Sequence, residues 1–558
     1  MKKILLSLFT ILTPLLIFAQ EQQQSFGESI NEAFAKYTEP IANLIFYPIV
    51  IAGQELPIVI ILLLLGAIFF TLYFKGVNLR YIKTSLKTAA GKYDELDHHV
   101  PAGEEIVVED GQIKDTVHLE GEVPGEVTHF QALTASLSAT VGLGNIAGVA
   151  VAIAIGGPGA TIWMILAGLF GMASKFTECT LGVKYREVDE NGKTYGGPMY
   201  YLSKGLKELK MGGFGKVLAV FFAIMCIGGS FGGGNMFQSN QAAAQFTQMM
   251  GWTGEGYGNA GLYCGLVMAV IVGLVIIGGI KRIGAVTEKV VPFMAIVYVL
   301  AGAIIIAINY DMIPFAANQI WEGAIDPNAA FGGVIGVLIV GFQRAAFSNE
   351  AGVGSAAIAH SAVKTRYPAS EGLTALLGPF VDTVIICTMT AVVIIITNAK
   401  HNLFTYGNLD ADSNVMLNAT NTPINGVDLT SVAFDSAIPY FSIVLTIAVV
   451  LFAVSTMISW SYYGLQSWKF LFGKGKVSDT TYKILFLVFL VIGSASSLGA
   501  VINFSDAMIF AMAFPNIIGL VLLSPKVRKE LQKYLNAIKI GKMSAVIDDD
   551  SKTVKKPE

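Results

Sequence analysis

Two hydrophobic stretches about two hundred residues apart carry nearly the same glycine-broken phrase, and this constrains the fold more than anything else in the chain. The first, Thr140 to Gly157, reads TVGLGNIAGVAVAIAIGG; the second, Gly341 to His360, reads GFQRAAFSNEAGVGSAAIAH. Both contain Asn-x-Ala-Gly-Val, at Asn145–Val149 and Asn349–Val353. Glycine inside a helix costs roughly 1 kcal/mol relative to alanine, so neither stretch is a good continuous helix. In lipid, a broken backbone survives only where it is buried in protein or lines a cavity. Paired broken segments in corresponding halves point to the binding site of a secondary transporter.

The rest of the chain supplies the membrane such a reading needs. It is 54% hydrophobic and 14% charged, against about 25% charged in a soluble domain. The four cysteines, Cys179, Cys226, Cys264 and Cys387, lie in apolar segments without metal-ligand spacing and read as packing residues. The GGFGKV stretch at Gly212 lacks Walker spacing, and no long soluble segment could host an ATPase. Met1 to Gln20 reads as a signal peptide (residues 1–20), cut near Ala19 or Gln20; the alternative is an extra membrane helix.

At about 20 apolar residues per span, the chain is predicted to be an all-α polytopic membrane protein with about 11 transmembrane helices. An external segment at 21–55 precedes an extra helix at 56–74 and a cytoplasmic loop at 75–130. Two five-helix halves follow at 131–325 and 326–523, then a tail at 524–558. Basic residues cluster in alternate loops: Lys75, Arg80, Lys83 and Lys87; Lys184 and Arg186; Lys281 and Arg282; Lys364 and Arg366; Lys469 and Lys474; Lys526 and Arg528. The positive-inside rule makes that side cytoplasmic, with the N-terminus outside and the C-terminus inside. An odd number of spans per half makes the halves run oppositely through the bilayer: a 5+5 inverted repeat.

A zwitterionic substrate at mid-membrane needs donors for its carboxylate, acceptors for its ammonium and a sized pocket. The break at Val141-Gly142-Leu143-Gly144-Asn145 leaves backbone N–H groups free beside a half-helix N-terminus, and its carbonyls can coordinate sodium. The alternative is glycines that only permit close packing. Gln238 and Gln241 share a helix face after Gly232-Gly233-Gly234; they either reach a polar site or only bond neighbouring helices. Arg344 is expected to pair with Glu350 across the second break or with Asp382 on the next helix, as a structural or gating pair. Ser455 and Thr456 offer adjacent hydroxyls for a sodium cage, or bond back to their own helix; Thr456 and Trp460 share a face.

ATVGLGNIAGVAVAIAIGGPGATIWM, GFQRAAFSNEAGVGSAAIAHS, KYREVDENGKTYGGPMYYL and GPFVDTVIICT resemble the signatures of the alanine or glycine:cation symporter family, from about Phe130 to Leu523. The resemblance implies a leucine-transporter-like 5+5 inverted repeat preceded by one extra helix. It implies sodium-coupled symport of alanine or glycine by alternating access, not an enzyme, with sodium as coupling ion and no cofactor. Substrate contacts are implied near Gly142 and Gly144, with a polar role for Asn145, and Gly233, Gln238, Phe347, Thr456 and Trp460 lining the pocket. Sodium is implied at the Val141 carbonyl with Ser455 and Thr456. Expected partners are a small neutral amino acid, sodium and lipid, with no nucleic acid, for a monomer in the bacterial inner membrane. A proton-coupled carrier, through Glu350, Asp382 and Asp506, is the alternative; a channel is another.

Overall fold

The structure is a computed structural model and describes residues 39–51, 54–94, 96, 108–109, 112–113, 125–252, 259–326, 333–409, 415–424 and 426–553, with side chains to residue 540. The expected signal peptide and most of the loop after residue 93 lie outside the described residues. Among the described residues, seven helices are long and apolar enough to cross a membrane. They are Ala160–Lys184, Gly212–Met249, Gly279–Ile308, Pro368–His401, Phe441–Phe472, Lys476–Ala495 and Leu498–Ile540. The bent pair His129–Thr140 and Leu143–Gly156, which turns by 54°, makes an eighth if counted as one span. Ile58–Tyr73, Ala260–Ile276 and Gly333–Asn349 are shorter apolar helices.

Polarity is turned inside out relative to a soluble protein. Large apolar residues such as Leu65, Leu72, Val267, Phe293, Leu300 and Ile447 are exposed, while Lys175, Glu178, Asp382 and Glu350 are buried. That is the distribution a hydrocarbon solvent selects.

Both glycine-rich phrases break their helices. In the first, Thr128 caps His129–Thr140 through a reciprocal bond with Gln131, a capping box. A single turn at Leu143–Asn145 then separates it from Ala147–Gly156. In the second, Gly333–Asn349 stops where Glu350, Gly352 and Gly354 all take positive φ (55°, 84° and 99°), and Ala356–His360 resumes. Left-handed backbone is open to glycine and strained for a residue such as Glu350. Two further helices depart from α geometry: Gly232–Met236 and Phe380–Cys387 form wide π-type turns, which often mark functional sites.

The extra helix Ile58–Tyr73 packs against Ala160–Lys184 and the last helix. The methyl-sized gap at Gly66 admits Ile517 of that last helix, whose Cδ1 would lie 3.0 Å from an added Cβ. Two amphipathic helices were not anticipated: Pro198–Glu208 and Val427–Ala437. Each falls between the second and third long helix after a break. The second lies in the expected external loop, together with a three-stranded antiparallel sheet of Phe404–Leu409, Val415–Leu417 and Pro423–Ile424. The last helix runs on from Leu498 to Thr553, past residue 523.

Candidate functional site

The two breaks meet at the centre of the molecule. An added Cβ on Gly144 would lie 3.3 Å from Ser348 Cα, so a side chain there would push the two breaks a few tenths of an ångström apart. Asp382 clamps both. Its Oδ1 accepts from Asn145 Nδ2 at 2.7 Å, and its Oδ2 accepts from Ser348 Oγ at 2.9 Å and Thr383 Oγ1 at 2.7 Å. Asn145 turns its other end on the first break, where its Oδ1 accepts from Gly142 N–H at 2.9 Å.

The expected free N–H groups of that break are therefore engaged. Gly142 bonds to Asn145, and Leu143 N–H donates to Gln238 Oε1 at 3.4 Å. The reason is that buried amide donors left unpaired are costly, and the polar side chains beside the break satisfy them. Gln238 in turn donates through Nε2 to Gly233 O at 2.9 Å, across the wide turn. Gln241 faces away, to Asn240 Oδ1 and to Val427 N–H of the external helix.

Opposite Gly142 stands the Phe441–Phe472 helix. Thr456 Oγ1 donates to Ser138 O at 2.9 Å, and Ser138 Oγ donates to Ser455 O at 2.8 Å. Ser455 Oγ bonds back to Phe452 O at 3.0 Å. The Thr456 hydroxyl thus lies against the carbonyl end of the first half-helix, with Gly142 beside it: an added Cβ there would fall 2.5 Å from Thr456 Oγ1 and 3.4 Å from Gln238 Oε1. Ser455 instead makes the bond back to its own helix that the sequence left open, with Met294 Sδ 3.7 Å away. Ser138 was missed in the sequence, because a carbonyl belongs to every residue and only the fold selects which ones meet a distant side chain. Val141, one residue beyond the helix ending at Thr140, is the C-cap of that half-helix.

The two aromatic residues pack on the glycines of the wide turn. Trp460 is buried against Gly234, where an added Cβ would come within 2.2 Å of its Cγ. Phe347 packs edge-on to Phe237 with ring centroids 5.4 Å apart, and lies 3.4 Å from where a Cβ on Gly233 would stand.

The expected pairing of Arg344 is corrected. Arg344 bonds to Asp506 of the last helix, joined there by Gln343 Nε2 at 3.1 Å, and its guanidinium lies 5.5 Å over the Phe347 ring. Glu350 instead accepts from Trp460 Nε1 at 3.0 Å and from Ser355 Oγ, and Asp382 is filled by Asn145, Ser348 and Thr383. Arg344 lies inside the Gly333–Asn349 helix, whereas Glu350 lies just past its end with positive φ, which turns its carboxylate to Trp460 and Ser355 instead. Asp506, which the sequence reading names only in the proton-coupled alternative, is the partner because the last helix brings it alongside.

A model of the sodium:alanine symporter family matches residues 41–548. The sodium/alanine symporter AgcS of Methanococcus maripaludis is 41% identical over 418 residues, 75% of this chain and 86% of that protein. The probable sodium/glutamine symporter GlnT of Bacillus subtilis is 34% identical over 420 residues, 75% and 80% of the two chains. Among solved structures, MhsT in complex with L-phenylalanine aligns at 14% identity with a TM-score of 0.46, over 73% of this chain and 99% of that one; so loose a likeness decides nothing about the site. A match over nearly the whole length makes the protein a transporter of the membrane and not an enzyme: this chain belongs to the sodium:alanine symporter family.

Proposed function

We propose that the protein imports small neutral amino acids, alanine or glycine, together with sodium by alternating access. The observation that carries this reading is the meeting of Thr456 Oγ1 with Ser138 O beside Gly142. Hydroxyls of Ser455 and Thr456 and carbonyls of Ser138, Val141 and Phe452 form an oxygen-only donor set, the chemistry a hard monovalent cation requires. Each hydroxyl now donating to a carbonyl would turn its lone pairs to the ion.

Next to that set, Gly142, Gly144, Asn145 and Gln238 form the polar side of the substrate site. The substrate carboxylate would take over the donors of Gly142 and Leu143 now held by Asn145 and Gln238. Phe347 and Trp460, seated on Gly233 and Gly234, wall the apolar side and leave room for little more than a methyl group. Arg344 with Asp506 is the outer closure, and Thr430 of the Val427–Ala437 helix, whose Oγ1 donates to Ile146 O at 3.1 Å, holds that helix over the first break. Glu350 and Asp382 act structurally, bracing the breaks.

The reading includes eleven spans in a 5+5 inverted repeat of the leucine-transporter kind preceded by one helix. It is supported by the break opening each half, a wide turn within each half, and one short amphipathic helix between the second and third span of each half. It also includes a cleaved signal peptide, an external N-terminus, a cytoplasmic C-terminus and a monomer in the inner membrane. One observation favours proton coupling as a second reading: Lys175 Nζ is buried 3.7 Å from Glu178 Oε1, beyond hydrogen-bond reach. Counterflow of labelled alanine in proteoliposomes, with sodium and pH gradients imposed separately, tests the proposal. Uptake driven by the pH gradient alone would replace sodium by protons; flux indifferent to both would make it a channel.

A further inference from the structure

Where the extra helix ends, a cavity of about 180 Å³ opens between the Lys75–Tyr81 turn and the last helix. At ~30 Å³ per water molecule, it has room for several waters or one phosphate group. Three cations line it, Lys75, Arg80 and Arg528, with Tyr73, Tyr81 and Gln532. Among the described residues no carboxylate lines it: Glu530, the nearest acid along the last helix, is bonded to Lys184 at 2.6 Å. The arginines are held by ring faces, Arg80 5.5 Å over Tyr81 and Arg528 5.9 Å over Tyr73, which leaves their N–H edges available to an anion. The turn itself is set by Lys75 and Gly76, both with positive φ (55° and 71°), which swing Arg80 back over the helix end.

The surroundings say which anion. Leu72 and Leu79, 72% and 65% exposed, adjoin the lining residues Tyr73 and Arg80 along the chain, at the end of the apolar extra helix. Exposed cations beside exposed leucines at the end of an apolar helix suit the level where the polar and hydrocarbon layers of a bilayer meet. Basic pockets between helices at that level suit lipid head groups. We propose that this cavity binds the phosphate head group of an anionic phospholipid, which ties the extra helix to the last helix of the transport core. Arg80 and Arg528 fork onto the phosphate oxygens, Lys75 adds a point charge, and the acyl chains run along Leu72 and Leu79.

The test is phosphatidylglycerol binding to the full chain purified in neutral detergent, read by native mass spectrometry, with phosphatidylcholine and inorganic phosphate as separate arms. Wild type is expected to prefer phosphatidylglycerol, and inorganic phosphate at matched concentration is expected not to displace it. Each surface cation contributes about fivefold, so Arg80→Gln with Arg528→Gln should weaken phosphatidylglycerol binding by roughly 25-fold and the single Arg528→Gln by about fivefold. Lys529→Gln with Lys539→Gln, which removes two exposed cations of the same helix outside the cavity, should change it by less than twofold. Equal weakening in that control would reduce the site to diffuse surface charge, and displacement by inorganic phosphate would make it a site for a soluble anion. Binding within twofold of wild type in the double arginine variant would overturn the proposal outright.

Discussion

Replacing Gly142 by alanine adds one methyl group at the point where the proposed sodium and substrate sites touch. The new Cβ would stand 2.5 Å from Thr456 Oγ1, closer than real Cβ contacts come, and 3.4 Å from Gln238 Oε1. Something must move. If Thr456 rotates, its bond to Ser138 O, 2.9 Å in the structure, is lost, at about 0.5–1.5 kcal/mol; if the backbone retreats, overpacking costs about 1–3 kcal/mol. Either response spoils the oxygen set, so about 0.5–3 kcal/mol falls on the sodium-loaded state. At 1.4 kcal/mol per tenfold, the sodium concentration for half-maximal uptake should rise roughly 2- to 140-fold. The assay is labelled-alanine uptake into proteoliposomes across a sodium series. Gly148→Ala is the control, because nothing lies within 4 Å of its added methyl and it sits inside the Ala147–Gly156 helix; alanine there favours the helix by up to about 1 kcal/mol. A Gly142→Ala protein that reconstitutes normally and keeps wild-type sodium dependence would refute the placement of sodium beside Thr456.

Four further outcomes are expected. Trp460→Ala or Phe347→Ala should relax discrimination against serine, valine and leucine by ~1–3 kcal/mol per mismatched group, read from competition with labelled alanine; an unchanged ranking in both sinks the wall assignment. Asp506→Asn leaves Arg344, 8% exposed, without its counter-ion and should cost about 3–5 kcal/mol; thermal unfolding should show part of that restored in the double variant with Arg344→Gln, and no restoration would mean the pair is not the source. A cysteine placed at Gln54 should react with an impermeant reagent in intact cells and one at Ser551 should not; the reverse pattern inverts the orientation. Asp428, in the external helix, has its pKa pushed up from 3.8 to about 6 by burial. A raised carboxyl pKa destabilises the ionised fold, so stability is highest below pH 4 and falls as pH rises through 4 to 6. Asp428→Asn should remove that slope from the pH dependence of the melting temperature, and an unchanged slope would exclude Asp428 as its cause.

The positions of the two breaks were legible because helix interruption is a local property. Glycine and the residues around it decide it before any tertiary contact forms, so Gly142–Gly144 and the Glu350–Gly354 run could be placed from their order alone. Seven of the apolar spans, or eight with the bent pair, were legible for a similar reason: the bilayer acts on each segment of about twenty residues separately. The same locality explains the pocket glycines Gly233 and Gly234, each followed by amide side chains that needed partners. The amphipathic helices Pro198–Glu208 and Val427–Ala437 were passed over because a short helix between spans has no composition that separates it from a polar loop.

Which side chains pair was decided only by the tertiary structure. Arg344 has several carboxylates within the same hydrophobic stretches, and sequence spacing does not select among them Asp506, which lies 162 residues away. Ser138 O meets Thr456 because two helices far apart in the chain cross there, and backbone carbonyls carry no sequence signal of their own. The sequence by itself determined where the backbone must break and which segments lipid must surround, since both follow from local energetics. Partnership between residues hundreds of positions apart depends on how the helices pack, and a buried charge takes whichever partner that packing brings within reach.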